Sequence, residues 1–179
     1  MNKASPPRRI TAAGLEAAAL FYLERFASSA ENLRRVLMRK VDRAARHFGD
    51  DPAEGSALVD RLIERYQASG LLDDRLYAEA KSRSLFRRGG STRAIRQHLA
   101  ARGVAAEVVD AALTELREQA DCGEDPDLAA AHAYARRRRL GPYRPPEARA
   151  AERHRDLAAL GRAGFPFDVA RAVVDGDAR

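Results

Sequence analysis

The chain is 179 residues long with a mass of 19.7 kDa, enough for one compact domain or a few small modules in series. It holds 37 Ala, 29 Arg, 3 Lys and no Trp, with 6% aromatics. That composition suits helices and leaves too few β-branched and aromatic residues for an all-β fold. Net charge is +6 and the isoelectric point lies near 10.0, which points to an anionic or acidic partner and says nothing about fold.

No apolar run approaches the roughly 20 residues that span a bilayer, so no membrane partner is expected. Residues 1–9 carry charge and two prolines but no apolar signal core. Cys122 is the single cysteine, which forbids an internal disulfide and suits a reducing, cytoplasmic setting. Much of the 45% apolar content is Ala, so several small helical cores are expected rather than one large one.

In chain order, residues 1–10 read as a flexible basic arm. Leu15, Ala19, Tyr22, Leu23 and Phe26 then fall at helical spacing. Ser28 with Glu31 predicts a capping box ahead of a helix bearing Leu33, Leu37, Val41 and Ala44. Asp51, Pro52 and Glu54 signal the next start, Val59, Leu62, Ile63 and Tyr66 line its face, and Gly70 stops it. Asp73 starts a helix with Tyr77, Ala80 and Ser84 that ends at Gly89 and Gly90. Ser91 caps a short helix with Ile95 and Leu99, stopped by Gly103, and Val108 to Leu116 form the next. The acidic stretch 121–127 reads as a linker. Leu128 to Arg139 is helical in pattern, Leu140 to Pro146 a loop and Glu147 to Leu160 helical again. After Gly164, Pro166 opens a last helix with Val169, Ala170 and Val173.

An internal repeat organises these elements. At an offset of 61, Leu99, Gly103, Val104, Glu107 and Val108 match Leu160, Gly164, Phe165, Asp168 and Val169. At an offset of 62, Ser29, Leu33, Leu37 and Lys40 match Ser91, Ile95, Leu99 and Arg102. The expected fold is therefore all-α, an elongated tandem array of three three-helix, helix-turn-helix-like repeats over 11–70, 71–120 and 128–179.

Gly70-Leu71-Leu72-Asp73-Asp74, Leu76-Tyr77-Ala78, Ser91 to Leu99 and Arg102-Gly103-Val104 follow in an order that resembles the RecX family, regulators of the bacterial recombinase RecA. The resemblance runs from about Ala12 to Val174. It implies three tandem three-helix repeats, no catalytic chemistry and no cofactor. It also implies binding to RecA filaments on single- or double-stranded DNA, which restrains recombination and RecA coprotease activity. The chain departs from the pattern where Val41 replaces the sister glycine Gly103, and where Arg136 to Arg139 meets Pro142, Pro145 and Pro146.

The net charge divides as +1 over residues 1–80, +4 over 81–120 and +1 over 121–179. Seven basic residues and no acid occupy Lys81 to Arg102: Lys81, Arg83, Arg87, Arg88, Arg93, Arg96 and Arg102. Arg83 and Arg87 share a helix face, as do Arg93 and Arg96. Arginine forks hold phosphates or carboxylates bidentately. This stretch is the first candidate binding face, competing with a merely solvated helix surface. Arg136, Arg137, Arg138 and Arg139 are the second; four in a row wrap a helix, and near a C-terminus they also suit its dipole. Gly70, Asp73 and Asp74 read as a structural corner, Asp73 capping a helix, rather than as a catalytic or metal-binding pair.

His47, His98, His132 and His154 are scattered without zinc-site spacing, and no phosphate-binding Gly-Lys-Ser/Thr loop or nucleophile elbow occurs. The sequence thus predicts a non-enzymatic monomer that binds the RecA filament and binds DNA weakly and salt-sensitively. The alternative is a sequence-specific helix-turn-helix transcription factor. The starts of the third helices, Ala105, Ala106 and Glu107, then Pro166, Phe167 and Asp168, are apolar or acidic and poor at reading bases.

Overall fold

The computed structural model describes residues 8–119 and 125–178. Among them the chain is all-α: α1 (Ala12–Leu23), α2 (Ala30–Phe48), α3 (Pro52–Ala68), α4 (Asp74–Arg87), α5 (Thr92–Ala101), α6 (Ala106–Glu118), α7 (Pro126–Arg138), a 3-10 turn (Gly141–Tyr143), α8 (Pro146–Arg162) and α9 (Phe167–Asp175). Most of the expected linker, Cys122 included, and the arm up to residue 7 lie outside the described residues. Asp125 caps α7 with Pro126 at its first position, so the helix starts two residues ahead of the expected Leu128. Arg9, in the expected arm, is tied to Asp50 at 3.0 Å and lies over the Phe48 ring.

The residues divide into two compact units, one reaching to Tyr77 with Arg102–Val104, the other comprising Ala78–Ala101 and everything from Ala105 on. In the first unit, Leu15, Leu33, Leu37, Val59 and Tyr66 pack into one core between α1, α2 and α3. α2 does not turn at Val41, where the repeat pattern would place a glycine. It runs on to Phe48 and ends at Gly49 in the left-handed conformation, φ 74°. Val41 packs on Gly55, where a β-carbon would stand 2.5 Å from a Val41 methyl. That glycine lets α2 and α3 approach closely.

Three local expectations are corrected. The cap of α2 is Ser29, which accepts from the Asn32 N–H, and the Glu31 carboxylate takes Arg35 instead of closing a capping box. Ser28 sits one residue too early and donates to the Ser29 carbonyl. Phe26 lies beyond α1 and is exposed, beside Tyr22 rather than on the core stripe. On α4 the inward residues are Tyr77, Ala78 and Ser82, whereas Ala80 faces solvent and Ser84 is only half-buried.

In the second unit, Leu140, Leu160, Phe165, Val169 and Val173 centre the core of α7, α8 and α9. The end of α4 packs on the α7 backbone. A β-carbon on Gly89 would meet the Tyr134 nitrogen at 2.7 Å.

The repeat is visible as a duplicated hydrogen-bond joint, one copy inside each unit. In the first unit, the Ser29 hydroxyl accepts from the Asn32 N–H and donates to the Arg102 carbonyl, while the Asp74 carboxylate accepts from the Ala30 N–H at 2.8 Å. In the second, the Ser91 hydroxyl accepts from the Ala94 N–H and donates to the Ala163 carbonyl at 2.8 Å. There Asp127 accepts from the Thr92 N–H and hydroxyl, both at 2.7 Å. Each joint satisfies helix-start amides that no intrahelical carbonyl can reach, and it closes against a left-handed glycine, Gly103 or Gly164.

Candidate binding surface

The corner motif is built from the end of α3 and the start of α4. Gly70 takes φ 74°, and the chain turns through Leu72, whose N–H bonds the Tyr66 carbonyl. Asp73 accepts from the Leu76 N–H at 2.9 Å, so it caps α4, and Asp74 serves the joint to α2. Both carboxylates are engaged by backbone amides.

The seven basic residues from Lys81 to Arg102 separate into three groups. Arg83 on α4 pairs with Glu115 at 3.5 Å, and Arg96 on α5 pairs with Asp110, so both tie their helices to α6. Pairs this exposed contribute about 0–1 kcal/mol each and leave the arginines available for exchange. Arg102 belongs to the first unit, where its guanidinium donates to Asn32 Oδ1 at 3.1 Å and its positive charge works to lower the buried Tyr77 hydroxyl, which desolvation pushes up. Arg87, Arg88 and Arg93 are exposed at the end of α4, in the turn after it and at the start of α5, and Lys81 is half-buried on α4. Among the described residues no acid is paired with these four. They are the strongest remaining candidates for an outside partner.

The arginine run also divides. Arg137 and Arg138 lie over the Tyr134 ring at 5.7 and 5.5 Å, and Arg136 lies over Tyr143 at 5.5 Å. Such contacts are worth about 0.5–1 kcal/mol at exposed sites. Arg137 also donates to the Arg88 carbonyl at 2.6 Å. Arg139 is the left-handed cap of α7, φ 55°, and is the non-glycine residue with positive φ among those described. The run therefore terminates a helix and decorates two tyrosines while its charged ends stay exposed.

Sequence reasoning missed a buried charge, Asp156. Asp156 on α8 is 1% exposed and takes Arg144 at 2.6 and 3.1 Å together with the Gly141 N–H at 2.8 Å. Burial works to raise this carboxyl, and the guanidinium with the amide outweighs it, holding Asp156 below the ordinary carboxylate value. The only advance signal was a mid-helix acid twelve residues from an arginine, a separation too common to single it out. Among the described residues no three His, Cys, Asp or Glu side chains gather as a metal site, and no helix is long and apolar enough to cross a membrane.

Fold and surface together define an all-α protein of three-helix units with exposed arginines on the middle segment. A family model described as the second three-helix domain of RecX matches residues 73–113. "Regulatory protein RecX" of Myxococcus xanthus (strain DK1622) is 44% identical over 94% of this chain and 88% of its own length. The protein of the same name from Agrobacterium fabrum (strain C58 / ATCC 33970) is 34% identical over 87% of this chain and 79% of its own. A crystal structure of regulatory protein RecX superposes with a TM-score of 0.62 at 21% identity, covering 92% of this chain and 71% of that one, which shows the shared fold. The chain belongs to the RecX family of regulatory proteins.

Proposed function

We propose that this protein binds RecA filaments on DNA and restrains recombination, ATP hydrolysis and coprotease activity in DNA repair and the SOS response, as a cytoplasmic monomer without chemistry of its own. The observation that carries the reading is the family membership over nearly the whole chain, together with arginines left exposed by the fold in the segment most like the family, 73–113. Several small helical units on one chain offer linked weak contacts, which reinforce one another through effective concentration. Arg87, Arg88 and Arg93 would meet acidic recombinase surfaces or filament phosphates, and such contacts weaken as salt rises.

The test is RecA ATPase and strand exchange with and without this protein at low and moderate salt. Slowing at low salt that fades at moderate salt is the expected result; no effect on either reaction at either salt overturns the reading. The transcription-factor alternative would show as tight, sequence-selective duplex binding in a gel shift. The exposed starts of α6 and α9, Ala105-Ala106-Glu107 and Pro166-Phe167-Asp168, argue against it.

A further inference from the structure

A cleft of about 290 Å³ opens between α7, the turn after it and α8, and four arginines line it: Arg138, Arg144, Arg155 and Arg162. The acid in its wall, Asp156, is committed to the fold, since Arg144 and the Gly141 N–H engage both of its oxygens. Glu152 lies 3.9 Å from Arg144 and 3.4 Å from Arg155. Two carboxylates therefore answer four guanidinium groups, and two positive charges remain. Arg162 makes no ion pair among the described residues, and Arg138 rests on Tyr134 without an acid.

We propose that this cleft is a phosphate site for a nucleic-acid backbone, with Arg138 and Arg162 as its principal ligands and Arg155 at its edge. Arg155 and Arg162 stand seven residues apart on one face of α8, roughly 10 Å along the axis. A strand that carries one charge per nucleotide along its length can engage both, whereas an isolated anion meets one. The surroundings favour a polyanion over an acidic protein patch: residues 128–146 contain five arginines and no acid. Guanidinium forks grip phosphate oxygens bidentately, and a backbone contact of this kind needs no base reading. The assignment deepens the filament reading. It rests on that reading only for the source of the strand.

The experiment measures anisotropy of a labelled single-stranded oligonucleotide with the full chain, across a salt series. It compares the unaltered protein, Arg138→Ala/Arg162→Ala, the charge-retaining Arg138→Lys/Arg162→Lys, and Arg39→Ala/Arg43→Ala on α2 as an equal charge loss elsewhere. The alanine cleft pair is expected to lose about tenfold in affinity and about 1.4 in the slope of log affinity against log salt, at roughly 0.7 per phosphate on a single strand. The lysine pair recovers part of the affinity, the α2 pair stays within about twofold, and all variants melt together. An unchanged cleft pair, or an equal loss in the α2 pair, overturns the site. ATP added as competitor separates the sources. Displacement of the strand that vanishes in the cleft variant extends the site to free nucleotide, and no displacement assigns it to the backbone. A cleft variant that binds the strand normally but no longer slows RecA overturns the phosphate site and leaves the filament reading standing. Lost strand binding with RecA restraint intact keeps the site.

Discussion

Asp73 and Asp74 are neighbours with different work to do. Asp73 accepts from its own helix, so Asp73→Ala should lower stability by about 1 kcal/mol, read as a melting temperature lower by a few degrees. Asp74 accepts from the buried start of α2, so Asp74→Ala strands the Ala30 N–H and should cost about 1–3 kcal/mol. Asp156 behaves differently again. Its folded pKa lies below the unfolded one, so its contribution is present above about pH 4 and is lost as pH falls through the lower folded value. Asp156→Asn should flatten that acid limb in melting curves recorded from pH 7 down to 3. Arg144→Ala, which leaves the buried carboxylate unpaired, should cost about 3 kcal/mol. Asp73 was legible from the sequence because a cap needs only its own three following residues. Asp156 was not, since its partners come from a turn whose path depends on how α7 and α8 pack.

At the level of helices, the constant offsets already reported the duplication, and the matched Ser29 and Ser91 marked its most informative positions. What the sequence could not show is that each serine hydroxyl is shared, capping one helix while donating to a carbonyl some seventy residues away. A local pattern carries no record of that second bond. The sharing predicts unequal caps. Ser91→Ala should cost about 2 kcal/mol in urea unfolding, near twice the cost of Thr11→Ala, whose hydroxyl oxygen serves as the cap of α1. Glycines should be graded the same way. A β-carbon on Gly70 meets open space, so Gly70→Ala incurs only the left-handed penalty, about 1 kcal/mol. On Gly164 it would stand 2.7 Å from the Ser91 oxygen, so Gly164→Ala should cost distinctly more. The continuation of α2 through Val41, where the sister repeat has Gly103, has a simple origin. A helix can continue wherever a neighbour, here Gly55, yields the room, and α2 did so.

Across the whole molecule, dividing the charge located the middle segment as the cationic one but could not tell unmatched arginines from matched ones. Arg83 and Arg96 find acids on α6, Arg102 belongs to the first unit and bonds Asn32 there, and Lys81, Arg87, Arg88 and Arg93 are left over. The same arithmetic hid the α7–α8 cleft, because acids that lie elsewhere in residues 121–179 cancel its excess in the sum. Charge counts average over a surface, whereas binding depends on which charges remain unmatched at one place. The RecA reading rests on family membership, and it draws its proposed contact surface from the exposed remainder rather than from the net +6. Its most direct measurement is a density map of this protein added to RecA assembled on single-stranded DNA at low salt. The account predicts helical density on the filament with Arg87, Arg88 and Arg93 facing recombinase or strand. Filaments that stay undecorated at saturating protein, or decoration that turns those arginines to solvent, would contradict it.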